Sequence, residues 1–295
     1  MVETARKICK RLHAYLRMDR YDGVVYDVHA SSVILKTPIG MISLLTNAHC
    51  LKPFSVVINS TKQLPSFAIE EGQEVVIGDE RIEIPACEFT VDLSQATDLD
   101  LSVEIMQNLF LPTDLDIRMR YLLRVIESYG SSEDLSPLVT DGKTNPDCDE
   151  IKPMLDDLHE TVRDQEPEAC RSIGGRIAGF GNAVMPSSDV LLCGYVAGYS
   201  ALSCALGRSR QRVLSITRAL TSAAAEQTTE SAAAVLLQSG EGLVSEDTFQ
   251  MLRCIFSDAS YQTLTAYANK VATAESGNGP DLLTGIYLAV TRQLG

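Results

Sequence analysis

With 295 residues, 45% hydrophobic and 22% charged, the chain has the length of one large domain or two ordinary ones and enough apolar residues for a sizeable core. Its formal net charge of −14 repels nucleic acid and anionic membranes, so neither is expected as a partner, and an anionic small molecule would need a locally positive site. The 8 cysteines form no CxxC pair and several sit in apolar runs, which reads as reduced, mostly buried thiols and not as a disulfide framework.

Residues 1–20, MVETARKICKRLHAYLRMDR, carry charge throughout and lack the apolar centre of a secretion signal. Their Arg, Lys and Leu spacing predicts a short amphipathic helix, and the cytoplasm is the expected location. Residues 21–104 are β-rich. GVVYDVHASSVILKT, GMISLLTN, FSVVINS, EEGQEVVIGDERIEI and CEFTVDLS are enriched in Val, Ile and Thr or alternate with period two. Turns fall at Pro38-Ile39-Gly40, Lys52-Pro53, Gly72 and Gly78-Asp79, giving an expected antiparallel sheet or small barrel of about five to seven strands.

From residue 105 the pattern turns helical. Residues 105–128 read as a helix broken or restarted near Pro112, and 129–145 as a mobile Gly/Ser/Asp-rich connection. Residues 149–163 place Ile151, Met154, Leu155, Leu158 and Val162 on one helical face. Further helices are expected over 190–206, 208–225, 230–238, 245–256, 261–273 and 280–294. The apolar run 190–206 is interrupted by Gly194, Gly198 and Ser200 and is too short for a membrane span. The fold class is therefore α+β: an N-terminal antiparallel β-rich domain (sheet or small barrel), then a mainly α-helical C-terminal domain over 105–295.

Two loops carry the chemistry. In GFGNAVMPSSDVLLCG (179–194), Gly179 and Gly181 permit backbone angles closed to other residues, so successive N–H groups can converge on an anion. Pro186 suits a helix start, Ser187, Ser188 and Asp189 are good caps, and a helix N-terminus attracts phosphate or carboxylate. The loop is neither a Walker loop nor GxGxxG, and residue chemistry alone leaves both an anion cradle and a plain helix start open. The second loop, ESGNGPDLLTG (275–285), repeats the logic with Asn278 and Asp281, and NGPDLLTG echoes PSSDVLLCG. Adjacent in space, the two would form one polar pocket between helix N-termini, where Asp281 would bind a metal, orient an amide or cap. No HxH, HExxH or Cys/His cluster has metal-ligand spacing, so no metal and no cofactor is expected. Arg208 and Arg210, after Gly207, are either within reach of an anion or simply exposed at a helix start.

The first loop resembles the signature of a bacterial protein family that includes the third subunit of oxamate carbamoyltransferase, an enzyme of purine and allantoin catabolism. That signature runs roughly Gly-Leu-Gly-Pro-Gly-Leu-Thr-Pro-Ser-Gly-Asp-Asp before an apolar helix with Gly. Gly179, Gly181, Pro186, Ser187, Asp189 and Gly194 match it, while Asn182, Ala183, Met185, Ser188 and Val190 depart from it. The family's later Gly/Ser turn is similar to residues 276–281, with Asp281 and Gly285 kept, and VHASSVILKTPIGMISLLTN and VDLSQA resemble its opening strands. The resemblance implies a cytoplasmic subunit of a carbamoyltransferase-like transferase complex, an oligomer with other subunits or with itself. It implies binding of a small anionic metabolite (phosphate, carbamoyl or carboxylate) through Gly179, Gly181, Asn182, Ser187, Ser188, Asp189, Asn278 and Asp281. Met185 and Val190 stand where the signature has Thr and a second Asp, which implies divergent activity. The alternative is a non-catalytic assembly or ligand-sensing protein that keeps the fold.

Overall fold

The chain divides into two units, Met1–Leu101 and Ser102–Gly295, where the sequence placed the change of character after residue 104. The computed structural model describes residues 1–60, 62–181, 183–273 and 278–294.

The first unit runs β1 (Val2–Cys9), α1 (Lys10–Leu16), β2 (Tyr21–Val28), β3 (Ser32–Thr37), β4 (Gly40–Leu45), β5 (Ser55–Ile58), β6 (Glu74–Gly78), β7 (Arg81–Ile84), β8 (Phe89–Asp92) and β9 (Thr97–Leu99). The strand order is β5-β4-β3-β2-β6-β7-β8-β1, and β1 also pairs with β5, so these eight strands close into a small barrel. β9 extends the ladder along β1: β8 pairs with Val2 to Thr4 and β9 with Lys7 to Cys9. The β6–β7 hairpin turns through Asp79 and Glu80 at φ 53° and 58°, the pair of positive angles that a two-residue hairpin of right-handed twist favours.

Two expectations change here. The barrel is mixed rather than antiparallel throughout, because β1 runs parallel to β8 and β9 and β4 runs parallel to β5. Residues 1–20 are not one amphipathic helix: Val2–Cys9 is a strand and only Lys10–Leu16 is helical. Ladders to β5 on one side and β8 on the other decide the conformation of β1, and local spacing carries no trace of such distant partners. The α1 helix buries Leu12 and Leu16, the pair four apart that the spacing marked.

The second unit is helical: α2 (Leu115–Tyr129), α3 (Pro146–Asp164), α4 (Pro167–Ile177), α5 (Ser187–Ala205), α6 (Arg210–Ala225), α7 (Glu230–Gly240), α8 (Glu246–Ile255), α9 (Tyr261–Ala272) and α10 (Gly279–Arg292). Helix α5 is apolar all round and correspondingly central. Its Ala197, Ala201 and Leu202 join a cluster with α2, α8, α9 and α10, and its Leu191, Leu192, Tyr195, Val196 and Tyr199 join another with α3, α4 and α6. Helix α10 runs parallel to α5, since Gly194 abuts Leu282 and Gly198 abuts Ile286. A Cβ at Gly194 would fall 2.0 Å from the Leu282 carbonyl oxygen, and one at Gly285 2.0 Å from that of Leu191. The two backbones therefore touch, and their N-termini end side by side.

Three further differences concern this unit. Helix α4 forms where no helix was expected; its Gly174-Gly175 pair lowers local propensity, and packing against α6 overrides it. Residues 105–111 are not α-helical, with only a 3-10 turn at Val103–Ile105. The 129–145 stretch is tied down. The Ser131 and Ser136 N–H groups donate to the Asp134 carboxylate at 2.7 and 2.8 Å, and the Asn145 side chain donates to the Asp134 carbonyl at 2.7 Å. No helix among the described residues is long and apolar enough to cross a membrane, and the cysteines are free thiols.

Candidate functional site

At the start of α5 the glycine turn is closed by the helix it leads into. Gly179 and Gly181 lie at φ +84° and +113°, angles that side-chain-bearing residues rarely adopt. The Gly179 N–H donates to Asp189 Oδ1 at 3.0 Å, and the Phe180 N–H donates to Ser188 Oγ at 2.9 Å. The Ser188 N–H returns to the Phe180 carbonyl at 3.2 Å, and the Asp189 and Val190 N–H groups go to the Pro186 carbonyl at 3.1 and 3.2 Å. Asp189 Oδ2 accepts from the Thr228 hydroxyl. Ser188 and Asp189 are fully buried. Burial raises the Asp189 pKa above the usual carboxylate range, while the Thr228 and Gly179 bonds pull it back.

Of the two possibilities left open by the sequence, a closed helix start accounts for the Gly179 and Phe180 N–H groups. The carboxylate filling the turn is the chain's own, from Asp189. Ser188 and Asp189 thus tie the glycine turn to the first turn of α5.

The second loop is brought against the first. Asn278 Nδ2 donates to the Met185 carbonyl at 2.8 Å, which ties the start of α10 to the start of α5. Asp281, in the first turn of α10, is 1% exposed. Its Oδ1 accepts from the Leu135 N–H at 2.7 Å, whereas Oδ2 has no hydrogen-bond partner among the described residues. One turn on, the fully buried Thr284 hydroxyl is also without a partner among them.

The Asp281 pKa is pushed up to about 7, first by burial and also by the nearby Asp134 charge. The Leu135 N–H and the Ser187 hydroxyl oppose that rise; Ser187 lies near the carboxyl without reaching Oδ2 in hydrogen-bond geometry. Near neutral pH, Asp281 is thus poised to accept a hydrogen bond when ionised or to donate one when protonated. Buried polar groups are nearly always paired, so Oδ2 and the Thr284 hydroxyl mark unspent bonding capacity at one place. That place lies between two parallel helix N-termini, whose dipoles add to favour negative charge.

Of the residues singled out in the sequence, Gly179, Gly181, Ser187, Ser188 and Asp189 gather at the α5 start, with Asn278 and Asp281 alongside. Asn182 lies outside the described residues, as do Ser276 and Gly277 of the second loop. Sequence reasoning missed Thr228, Thr284 and the backbone of Leu135. The only signal for the last was the polar Ser131-Ser132-Glu133-Asp134 run before it. Among the described residues no group of three or more His, Cys, Asp or Glu side chains is placed to hold a metal ion.

Comparison with known proteins bears on both units. The family model described as oxamate carbamoyltransferase subunit AllH matches residues 177–290, taking in both loops and helices α5 to α10. The model of the AllH family N-terminal domain matches residues 4–98, the β-barrel. No curated protein and no solved structure matches the chain.

Proposed function

Because the chain belongs to the family of the oxamate carbamoyltransferase subunit AllH, we propose that it works within a complex with other subunits and that the α5–α10 junction holds the transferred carbamoyl group or its acid-amide carrier. The orphaned Asp281 Oδ2 carries this reading: an enclosed carboxyl oxygen without a partner calls for an N–H donor from outside the described chain. A carbamoyl or carboxamide NH2 supplies that donor. The Ser187 hydroxyl then donates to the carbonyl oxygen, and the paired helix N-termini favour the anionic end, either phosphate or carboxylate. Asn278 holds the two loops in register. Carbamoyl transfer to phosphate needs a positioned acceptor and a stabilised oxyanion and no protein nucleophile, which agrees with the absence of a catalytic triad among the sequence motifs. The expected place of work is the cytoplasm.

A second reading, an assembly or ligand-sensing subunit without chemistry of its own, is favoured by one observation. The Gly179 turn is filled by Asp189, and apolar Met185 and Val190 replace the hydroxyl and second carboxylate of the family loop it resembles. Affinity purification of the tagged protein from its host, with mass spectrometry, tests the complex; recovery alone or as a homo-oligomer removes the subunit reading. In the recovered complex, Asp281→Asn and Ser187→Ala are assayed for carbamoyl transfer. A loss of about 100-fold with the complex intact supports the catalytic reading. Unchanged transfer leaves the assembly role.

A further inference from the structure

At the other end of α5 the chain turns sharply into α6, and the polar side chains of Tyr199, Ser203 and Arg208 meet there. Tyr199 is 1% exposed and Ser203, one turn later on the same helix face, is fully buried. Neither hydroxyl has a partner in good hydrogen-bond geometry among the described residues, although Ser203 and Arg208 both lie close enough to the Tyr199 hydroxyl to act on it. Gly207, at φ +67°, reverses the chain, and the Arg208 N–H donates to the Ser203 carbonyl at 2.9 Å. The Arg208 guanidinium is thereby carried back over Tyr199, 6.0 Å from its ring centroid.

Arg208 pairs with no carboxylate among the described residues, although acids outnumber bases 39 to 25 in the chain. Arg210, two residues on, is instead paired with Glu104. Helix α6 starts immediately afterwards, and its N-terminus is left electropositive. Ser209 at the cap position makes no side-chain capping bond, and the first turn holds no acid but does hold Arg210 and Arg212. Cations at the positive end of a helix are unfavourable without an anion; Glu104 answers Arg210, and Arg208 is left without one among the described residues.

We propose that this α5–α6 corner is a second ligand site, one for a small oxyanion such as a phosphate or carboxylate group, held by the Arg208 guanidinium and the Tyr199 and Ser203 hydroxyls. The three groups supply donors only where an anion needs them, and a guanidinium fork matches both oxyanions. Burial raises the Tyr199 phenol above its ordinary pKa, while Arg208 and Ser203 draw it back, so it remains a protonated donor at neutral pH. Tyr199 lies twelve residues beyond Ser187, about 18 Å along the helix at 1.5 Å per residue, so this corner is separate from the Asp281 junction.

The test uses the full chain, titrated with inorganic phosphate and separately with acetate at constant ionic strength, followed by calorimetry and by melting temperature. Saturable binding of at least one probe is expected. Arg208→Gln should weaken it at least tenfold and Ser203→Ala about threefold, while Arg120→Gln, at an exposed arginine of α2 paired with Asp116, leaves it unchanged. Tyr199→Phe removes a buried unpaired hydroxyl, so it should raise the melting temperature of the anion-free protein while weakening binding several-fold, a pair of opposite shifts that a purely structural tyrosine would not give. Absence of saturable binding for both probes, or wild-type affinity in Arg208→Gln, overturns the proposal.

Discussion

Enclosing the Asp281 carboxyl group, whose Oδ2 has no hydrogen-bond partner among the described residues, gives up stability at that residue. In the unfolded chain it ionises near pH 3.8, whereas in the folded chain it holds its proton to about pH 7. Between those values the folded state binds the extra proton, so the Asp281 contribution to stability falls as pH rises. His159 works in the opposite direction. It is buried beside the Tyr195 hydroxyl at 3.0 Å, and its pKa is lowered from 6.5 to about 4, first by burial and then by Arg292. Between those values the unfolded chain binds the extra proton, so stability falls as pH falls. The two slopes offset one another between about pH 4 and 6.5, and each single variant should unmask the other. Urea unfolding of Asp281→Asn should show stability rising with pH across that window. At pH 8 this variant should exceed the wild type by on the order of 4 kcal/mol, following a displaced pKa of this size. His159→Gln should instead show stability falling with pH. Equal pH profiles in all three proteins would refute both assignments.

At the scale of the element, the parallel contact of α5 and α10 places the two loops side by side, and it depends on glycines with no room for a methyl group. Gly194→Ala or Gly285→Ala would set a Cβ 2.0 Å from a carbonyl oxygen of the facing helix. Each should cost on the order of 3 kcal/mol, measured as a lowered urea midpoint or a loss of soluble protein. Gly175→Ala on α4 is the contrast. A Cβ there meets nothing nearer than 3.7 Å, so the gain in helix propensity should stabilise the protein by roughly 0.5–1 kcal/mol.

The same elements show what local pattern conveys. Helices α5 to α10 were legible because each has an apolar stripe or a polar lead-in; Ser245 accepts an N–H bond from the first turn of α8, whereas α9 is capped by Ser260 and not by the earlier Ser257-Asp258 pair. Helix α4 was not legible, since its adjacent glycines are tolerated only through contact with α6. The strand β1 was hidden among charged residues, because its conformation comes from pairing with β5 and β8, far along the chain. The 129–145 stretch read as loose because the partners of its polar groups form a closed local network that composition does not reveal.

At the scale of the molecule, the closed barrel has its own core, with Ile8, Leu12, Val33, Leu35, Leu44, Val56, Ile77 and Val91 all essentially inaccessible. Residues 1–101 expressed alone are therefore expected to fold, as a unit of this size with its own core can. A single cooperative thermal transition with dispersed amide resonances would bear this out, and an aggregated or unstructured product would show that the barrel needs the rest of the chain.

Composition determined that the surface is acidic and the thiols unpaired in pattern, and short-range periodicity determined the β-then-α order and the two Gly/Ser/Asp loops, because these depend on residues within a turn or a strand of each other. Only the tertiary structure decided that Asp189 fills the first loop's turn and that Asp281, not Asp189, has an oxygen without a hydrogen-bond partner among the described residues. Asp281 is bonded through a backbone 146 positions away and stands beside a helix that starts 94 residues before it. Whether a buried carboxylate is satisfied depends on those distant neighbours, and the two loops look alike until the chain has brought the neighbours in.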